Sequence, residues 1–480
     1  MNTKKIICGC FALAFIAIVN TGCKIPAIVT PRKESKAVPD VYTNKPQQDT
    51  MNIALQQWRT FFTDSYLTTL IDSALKNNQE LNIAMQEIEI SGNEVRARKG
   101  EYLPFVSLQA GAGVDKVARY TNIGAMEANT NITPGREMPE PLPDFMLGVR
   151  ASWETDIWGK LRNAKRAAAK RYLASVEGRN FTVTNLVAEV AGSYYELLSL
   201  DNQLSIVRQN IDIQSNALRI VRLQKEAAKV TELAVRKFEA EVLKTQSLQY
   251  NIQQRIIETE NRINFLLGRY PQPVARTTQS FETFVPIIAS SGIPAQLLDN
   301  RPDIKRAEQE LAATKLDVKS AKARFYPSIG ISATAGYRAF DPTYLIKPQS
   351  LLYSLAGDLM APLINRNAIK ATYYTANAKQ VQAVYNYERT ILNAYIEVAN
   401  QMSRLNNLEK SYDLKSKQVQ ALTQSISISN DLFKSARADY MEVLLTQRDA
   451  LESKFDLVET KMQQMNASVN LYRALGGGWK

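Results

Sequence analysis

Proline is the residue a helix interior tolerates least, at a cost of about 3 kcal/mol, and its distribution constrains this chain more than any other feature. The 18 prolines fall into four groups, Pro26 to Pro46, Pro104 to Pro143, Pro271 to Pro302 and Pro327 to Pro362. None lies between Pro143 and Pro271, and none between Leu363 and Lys480. Two very long helical hairpins fit those gaps. The stretch from Trp158 to about Lys225 would make a helix of roughly 100 Å at ~1.5 Å per residue. Helices of that length need lateral, coiled-coil-like partners.

The apolar spacing agrees. Val183, Leu186, Val187, Val190, Ala191, Tyr194 and Leu197 recur at three and four residues, which is one stripe on a helix. Ile391, Ala394, Tyr395, Val398, Ala399, Met402 and Leu405 repeat the pattern at an offset of 208. At that offset Asn185/Asn393, Glu189/Glu397, Leu267/Leu475 and Gly268/Gly476 also match. Earlier in the chain an offset of 223 pairs Asn77/Asn300, Glu87/Glu310, Pro104/Pro327 and Gly113/Gly336. Constant offsets over such distances mark a tandem duplication, with copies at 51–270 and 271–480. The offsets differ by 15, so the first copy carries an insertion of that size between about Gly113 and Val176.

Each copy holds two runs that alternate with period two. Val106, Leu108, Ala110, Ala112 and Val114 form one apolar set, and Phe145, Leu147, Val149, Ala151 and Trp153 the next. The second copy supplies Ile329, Ile331, Ala333, Ala335 and Tyr337, then Leu351, Tyr353, Leu355 and Leu359. Small or polar residues fill the intervening positions, Arg150 among them. Runs of about nine residues with one apolar face suit tilted transmembrane strands, and they also suit a soluble sandwich. Four strands cannot close a barrel, for which ~8 is the minimum, whereas three chains would bring twelve. The segment from Asp115 to Asp144 reads as a long external loop, and Arg338 to Ser350 as its shorter equivalent.

The N-terminus favours the membrane. Lys4 and Lys5 precede an apolar run from Ile6 to Val19 and small residues up to Cys23, the pattern of a secretory leader. Residues 1–22 read as a signal peptide and 23–50 as a tail. Thr21-Gly22-Cys23 resembles the lipobox of bacterial lipoproteins, in which the cysteine is lipidated, although Asn20 departs from it. Lys24 permits sorting to the outer membrane. The three cysteines are Cys8, Cys10 and Cys23, so a processed chain keeps one and can form no internal disulfide. There is no histidine, which removes Ser-His-Asp and Cys-His catalysis, zinc motifs and histidine bases. No phosphate-binding or dinucleotide loop appears, so neither enzyme, metal site nor cofactor is expected.

Trp58, Phe61-Phe62-Thr63-Asp64, Arg301-Pro302-Asp303, Phe325-Tyr326-Pro327, Leu475-Gly476 and above all Trp153-Glu154-Thr155-Asp156-Ile157-Trp158-Gly159-Lys160 resemble the TolC-like outer-membrane factor family. The OprM/CusC-like lipoprotein branch, which partners resistance-nodulation-division pumps, is the most similar. The resemblance runs from about residue 50 to the C-terminus. It implies a mainly α chain with a membrane β-barrel: a homotrimer with twelve strands in the barrel, a periplasmic α-helical tube and an equatorial belt from Met51–Asn77 and Gly268–Asn300. It further implies an efflux duct docked to a periplasmic adaptor and an inner-membrane transporter. The family closes its periplasmic entrance with acidic rings near the second hairpin tip. Glu442 occupies one such position and Asp439 is a second candidate, while Ala228 and Ala436 stand where members often carry glycine.

The formal charge is +12, and export argues against nucleic acid as the reason. Basic residues cluster at the strand ends: Arg96, Arg98 and Lys99; Lys160, Arg162, Lys165 and Arg166; Lys319, Lys322 and Arg324; Arg366 and Lys370. They read as a collar for anionic headgroups, with pairing to nearby acids as the plainer alternative. A type I secretion duct and a pore-free coiled-coil lipoprotein remain open as rival functions.

Overall fold

The computed structural model describes residues 25–26, 32–42, 52–277, 281, 292–364, 366–435 and 437–479. The leader and Cys23 lie outside them. The main helices are α1 (Ser65–Asn77), α2 (Gln79–Tyr102), α3 (Lys160–Glu226), α4 (Glu232–Leu266), α5 (Pro302–Ala323), α6 (Asn367–Lys434) and α7 (Tyr440–Ala474). The long strands are β1 (Phe105–Asp115), β2 (Leu142–Thr155), β3 (Ser328–Ala339) and β4 (Leu351–Met360). Strands and hairpins therefore stand where period-two alternation and the proline gaps put them. No helix of the described residues is long and apolar enough to cross a membrane.

The expected loop after β1 is more structured than its composition suggests. It holds a short helix, Asn122–Glu127, and a small hairpin pairing Asn131–Thr133 with Arg136–Glu137. This connection runs from Lys116 to Pro141, whereas its counterpart after β3 runs only from Phe340 to Ser350. That difference in length equals the difference between the two offsets, so the whole insertion sits in this connection. Of the segments expected to form a belt, 52–77 folds as short helices, and 268–300 lies partly outside the described residues.

The chain forms two compact units, each drawing on both copies. The first, 1–33, 89–173 and 309–385, contains one antiparallel sheet in the order β1-β2-β3-β4. Leu108 pairs with Val149 in the first hairpin, and Ile331 with Gly357 in the second. Those pairs are equivalent under the offsets of 223 and 208, so the duplicated hairpins share one register. Val149 with Ala335 joins them side by side. All four helix junctions consequently fall at one end of the sheet, and both loops at the other. At the β2 junction Asp156 accepts from the Leu161 and Arg162 backbone N–H groups at 2.9 and 2.7 Å, capping α3. Trp158 stacks on Tyr326 at 4.7 Å and donates to the Pro327 carbonyl at 2.7 Å.

The second unit comprises 34–88, 174–308 and 386–480. Every residue of the α3 stripe from Val183 to Leu197 is buried, together with Trp58, Leu67 and Ile71. Phe61 stacks on Tyr472 at 4.1 Å, and the Tyr194 hydroxyl donates to Asp64 at 2.7 Å. The α6 stripe is covered only in part: Ile391, Ala394 and Val398 are buried, while Tyr395, Ala399, Met402 and Leu405 are half-buried. Within one chain that stripe lacks the cover that Trp58, Leu67 and Ile71 give the first.

The duplication extends to single contacts. The Asn78 side chain donates to the Leu266 carbonyl at 2.9 Å, and its counterpart Arg301 donates to Ala474 at 2.8 Å. Gly268 (φ +65°) and Gly476 (φ +93°) end α4 and α7 in the left-handed region. A Cβ on either would approach the carbonyl oxygen of Asn77 or Asn300, the matching residue, to 2.4 and 2.7 Å. Glycine at these two sites is required sterically as well as conformationally.

Candidate functional site: a one-sided sheet and two hairpin tips

Register sorts every side chain of the sheet onto one of two faces. All six charged residues, Asp115, Asp144, Arg150, Glu154, Arg338 and Asp358, share one face with Ser107, Gln109, Ser152, Ser332, Thr334 and Ser354. The opposite face carries Val106, Leu108, Phe145, Leu147, Val149, Trp153, Ile331, Tyr337, Tyr353 and Leu355, with no charge. A sandwich would bury that apolar face. Here it is bare: Leu108, Tyr353 and Leu355 are 76%, 83% and 79% exposed. Both edge strands, β1 and β4, are also open. In a bilayer each edge needs a partner, because unpaired backbone groups there cost several kcal/mol. Successive copies pairing β4 with β1 meet that need.

On the apolar face aromatic residues stand toward both ends, Phe145, Tyr337 and Tyr353 toward the loops and Trp153, which donates to the Tyr102 carbonyl at 3.1 Å, at the junction end, as at membrane–water interfaces. The basic residues of the expected collar lie at the junction end, but not all are available. Arg98 is held by Glu94 and Glu101 at 2.8 and 3.1 Å, Lys160 by Glu154 at 2.5 Å, and Arg162 by Asp156 at 3.2 Å. Arg366 is half-buried and also partnered. Arg96, Lys99, Arg166, Lys319, Lys322, Arg324 and Lys370 are exposed and Lys165 half-buried. None of these eight has a carboxylate partner among the described residues.

At one end of the second unit lie two hairpin tips. The first closes with the Lys229 N–H donating to the Gln224 carbonyl at 2.8 Å, and the second with Arg437 to Leu432 at 2.8 Å. The two closures are equivalent under the offset of the duplication. Ala228 adopts φ +56°, a conformation glycine takes freely. Ala436 lies outside the described residues. Ion pairs staple the first tip: Lys225 and Arg236 flank Glu232, and the Lys225 hydrogen bond, chiefly, holds that carboxyl below its ordinary range. The second tip differs. Asp439 and Glu442 are exposed, open the first turn of α7, and have no basic partner among the described residues. Val443 and Leu444 are buried against Leu218, Val221, Phe238 and Val242, which orients α7 and leaves Glu442 outward.

Residue patterning does not reveal the role of Arg301. Its guanidinium is almost wholly buried and binds Asp303 at 2.6 Å, Glu397 at 2.8 Å and the Ala474 carbonyl. Burial opposes its charge, but the two carboxylates raise its pKa above the ordinary value. The duplication carried the signal, since Arg301 and Asn78 are counterparts. The Asp144–Arg338 pair at 2.7 Å was not expected, whereas the Lys160–Glu154 pair is the pairing to nearby acids named as the plainer alternative for the collar. Asp144 and Arg338 are 194 residues apart in sequence.

Comparison with known proteins agrees with this geometry. The model of the outer membrane efflux protein family matches residues 70–269 and 293–477. The pyoverdine export outer membrane protein OpmQ of Pseudomonas aeruginosa is 26% identical over 428 residues, covering 89% of this chain and 88% of that protein. The cation efflux system protein CusC of Escherichia coli is 26% identical over 487 residues and is covered end to end. Among solved structures, CusC superposes with a TM-score of 0.81 at 24% identity, covering 94% of this chain and 100% of that one. The open state of the Neisseria gonorrhoeae MtrE outer membrane channel gives 0.82 at 22%, covering 95% and 99%. A charge-free outer face, two open sheet edges, duplicated long hairpins and a match over most of the length have one account: the chain belongs to the outer membrane efflux protein family.

Proposed function

We propose that this outer-membrane efflux channel subunit is the passive exit duct of a tripartite system. It receives small molecules from an inner-membrane transporter of the resistance-nodulation-division type through a periplasmic adaptor. The observation that carries the duct is the sheet, in which six charges lie on one face and none on the other. Its relatives include proteins named for pyoverdine, cation, solvent and toluene efflux, a range that fits a duct whose cargo is chosen upstream.

Three features have assigned parts. Cys23 is the lipidation site. Ile25 packs beside Ala321, Phe325 and Tyr373 at the helix ends that adjoin the sheet, so an acyl chain two residues earlier would enter the same leaflet. Lys165, Arg166 and the other unpaired cations form the collar, each adding up to ~1 kcal/mol near anionic headgroups. Asp439 and Glu442 form the periplasmic gate. Threefold repetition brings like charges together there, a ring that attracts cations and weakens the closed state.

The test is reconstitution of purified trimers in planar bilayers, with single-channel recording. Wild type is expected to conduct rarely, and Glu442→Gln with Asp439→Asn to change the open fraction and lower cation preference several-fold. Trimers that never conduct, with or without the adaptor, would sink the duct. Unaltered gating and selectivity in the double variant would remove these carboxylates from the gate.

A further inference from the structure

Five of the six charges on the polar face have a ready place in the barrel reading, and Arg150 does not. Asp144 and Arg338 neutralise each other near the loop end, and Glu154 is tied to Lys160 at the junction end. Asp115 ends β1 on the loop side, and Asp358 lies two residues from the junction end of β4. Arg150 stands near the middle of β2, is exposed, and has no ionic partner among the described residues. Its neighbours across the ladder are Ser107 and Thr334, and Thr334 in turn faces Ser354. One row toward the junction lie Phe105, Ser152, Ser332 and Ala356, and one row toward the loops lie Gln109, Gly148, Gly336 and Leu352. The surroundings are therefore hydroxyls, an amide and bare backbone, bordered on the same face by the apolar side chains of Phe105 and Leu352. The nearest acids on its own strand, Glu154 and Asp144, are about 14 and 20 Å away at ~3.4 Å per residue. Both exceed the screening length of about 10 Å at 0.1 M salt.

We propose that Arg150 and the hydroxyls of Ser107, Ser152, Ser332, Thr334 and Ser354 form an anion-binding station on the luminal wall, repeated three times around the barrel. Its ligands are small molecules bearing carboxylate, phosphate or sulfonate groups, held in transit. The station rests on the barrel reading, which puts the polar face in the lumen. Guanidinium is suited to it because its fixed fork of donors matches such oxyanions, while serine and threonine hydroxyls add donors without fixed charge. Binding here must be weak, since a duct has to release what it captures.

Sucrose octasulfate is the probe, added at 0.1 M KCl to the loop side of oriented trimers in a planar bilayer, where the collar is out of reach. Wild type is expected to show reversible binding noise. Arg150→Ser should bind about fivefold more weakly, the upper end of what one exposed ion pair supplies. Arg150→Lys should retain most of the affinity, and 1 M KCl should abolish the difference. Equal binding by wild type and Arg150→Ser overturns the station, as does a probe that binds only when added to the opposite side. If wild type itself fails to conduct, the duct reading fails separately. Calorimetry of the same probe on detergent-solubilised trimers with and without Arg150→Ser then reads the Arg150 effect as a difference, the collar being common to both.

Discussion

Leu108 and Gln109 are adjacent on β1 and face opposite sides of the sheet, so one charge moved by one residue separates the barrel from every water-exposed alternative. Leu108 pairs with Val149, and Gln109 with Gly148. Leu108 is 76% exposed in the single chain, so Leu108→Lys removes little packing, and in water the change would stay within about 0.5 kcal/mol. In a bilayer the same lysine lies two residues from Ala110, the middle of the strand. A lysine on the lipid face near that depth costs about 2–4 kcal/mol. Three copies in a trimer make about 6–12 kcal/mol. Gln109→Lys points into the lumen and is expected to cost at most about 0.5 kcal/mol per chain. The assay is urea-dependent folding into lipid vesicles, read as the heat-modifiable trimer band. Leu108→Lys should lose trimer at urea concentrations where Gln109→Lys and wild type retain it. A Leu108→Lys protein as stable as wild type, or equal losses for both variants, would refute the assignment of faces.

Three further expectations come from single contacts. Gly476→Ala places a methyl against the Asn300 carbonyl at a positive φ, and should lower stability by about 2–3 kcal/mol, read as a drop in thermal midpoint. Ala228→Gly relieves a left-handed alanine at the first tip and should raise local stability by about 0.5–1 kcal/mol, visible as slower amide exchange at Lys229. Tyr472→Phe removes a hydroxyl that donates to the Gln56 carbonyl at 2.7 Å, a loss of about 1 kcal/mol. Burial pushes that hydroxyl up to about 12 from an unfolded value near 10. A raised folded value means its contribution is whole below about pH 10 and is lost as pH climbs toward 12. Wild type should therefore destabilise between those pH values more steeply than Tyr472→Phe.

Much of the architecture was legible because it rests on periodicity. Period two marked all four long strands, since each keeps one face apolar along its whole length. Proline gaps marked α3, α4, α6 and α7, because a helix interior excludes that residue wherever it is placed. The connection after β1 was read as a plain loop, because the short helix and hairpin within it hold too few residues to show a period. The gate candidates came from resemblance alone. That Glu442 lies outward of the Val443 and Leu444 anchor depends on residues of α3 and α4, which are remote along the chain.

The collar shows the same limit. Twelve basic residues at strand ends are visible in order, with acids three to six residues from some of them, but which of the twelve are paired is not. Glu154, Asp156, Glu94 and Glu101 withdraw three of them, and the distinction rests on distances of a few ångströms. Arg301 is the clearest case. In the sequence it is one member of an Arg-Pro-Asp motif, whereas in the fold it joins α5, α6 and the end of α7.

By itself, then, the sequence determined the element types, the duplication with its two offsets, the insertion in the first copy and the amphipathic face of every strand. These are local or periodic properties, carried by backbone preference and hydrophobic spacing. Tertiary structure alone decided that the copies interleave into two units, that β2 joins β3 to make one open-edged sheet, and that Arg301 and Arg338 meet Glu397 and Asp144. Those outcomes depend on register and on partners remote along the chain, where an ion pair or a steric contact such as Gly476 against Asn300 forms only after both segments have folded together.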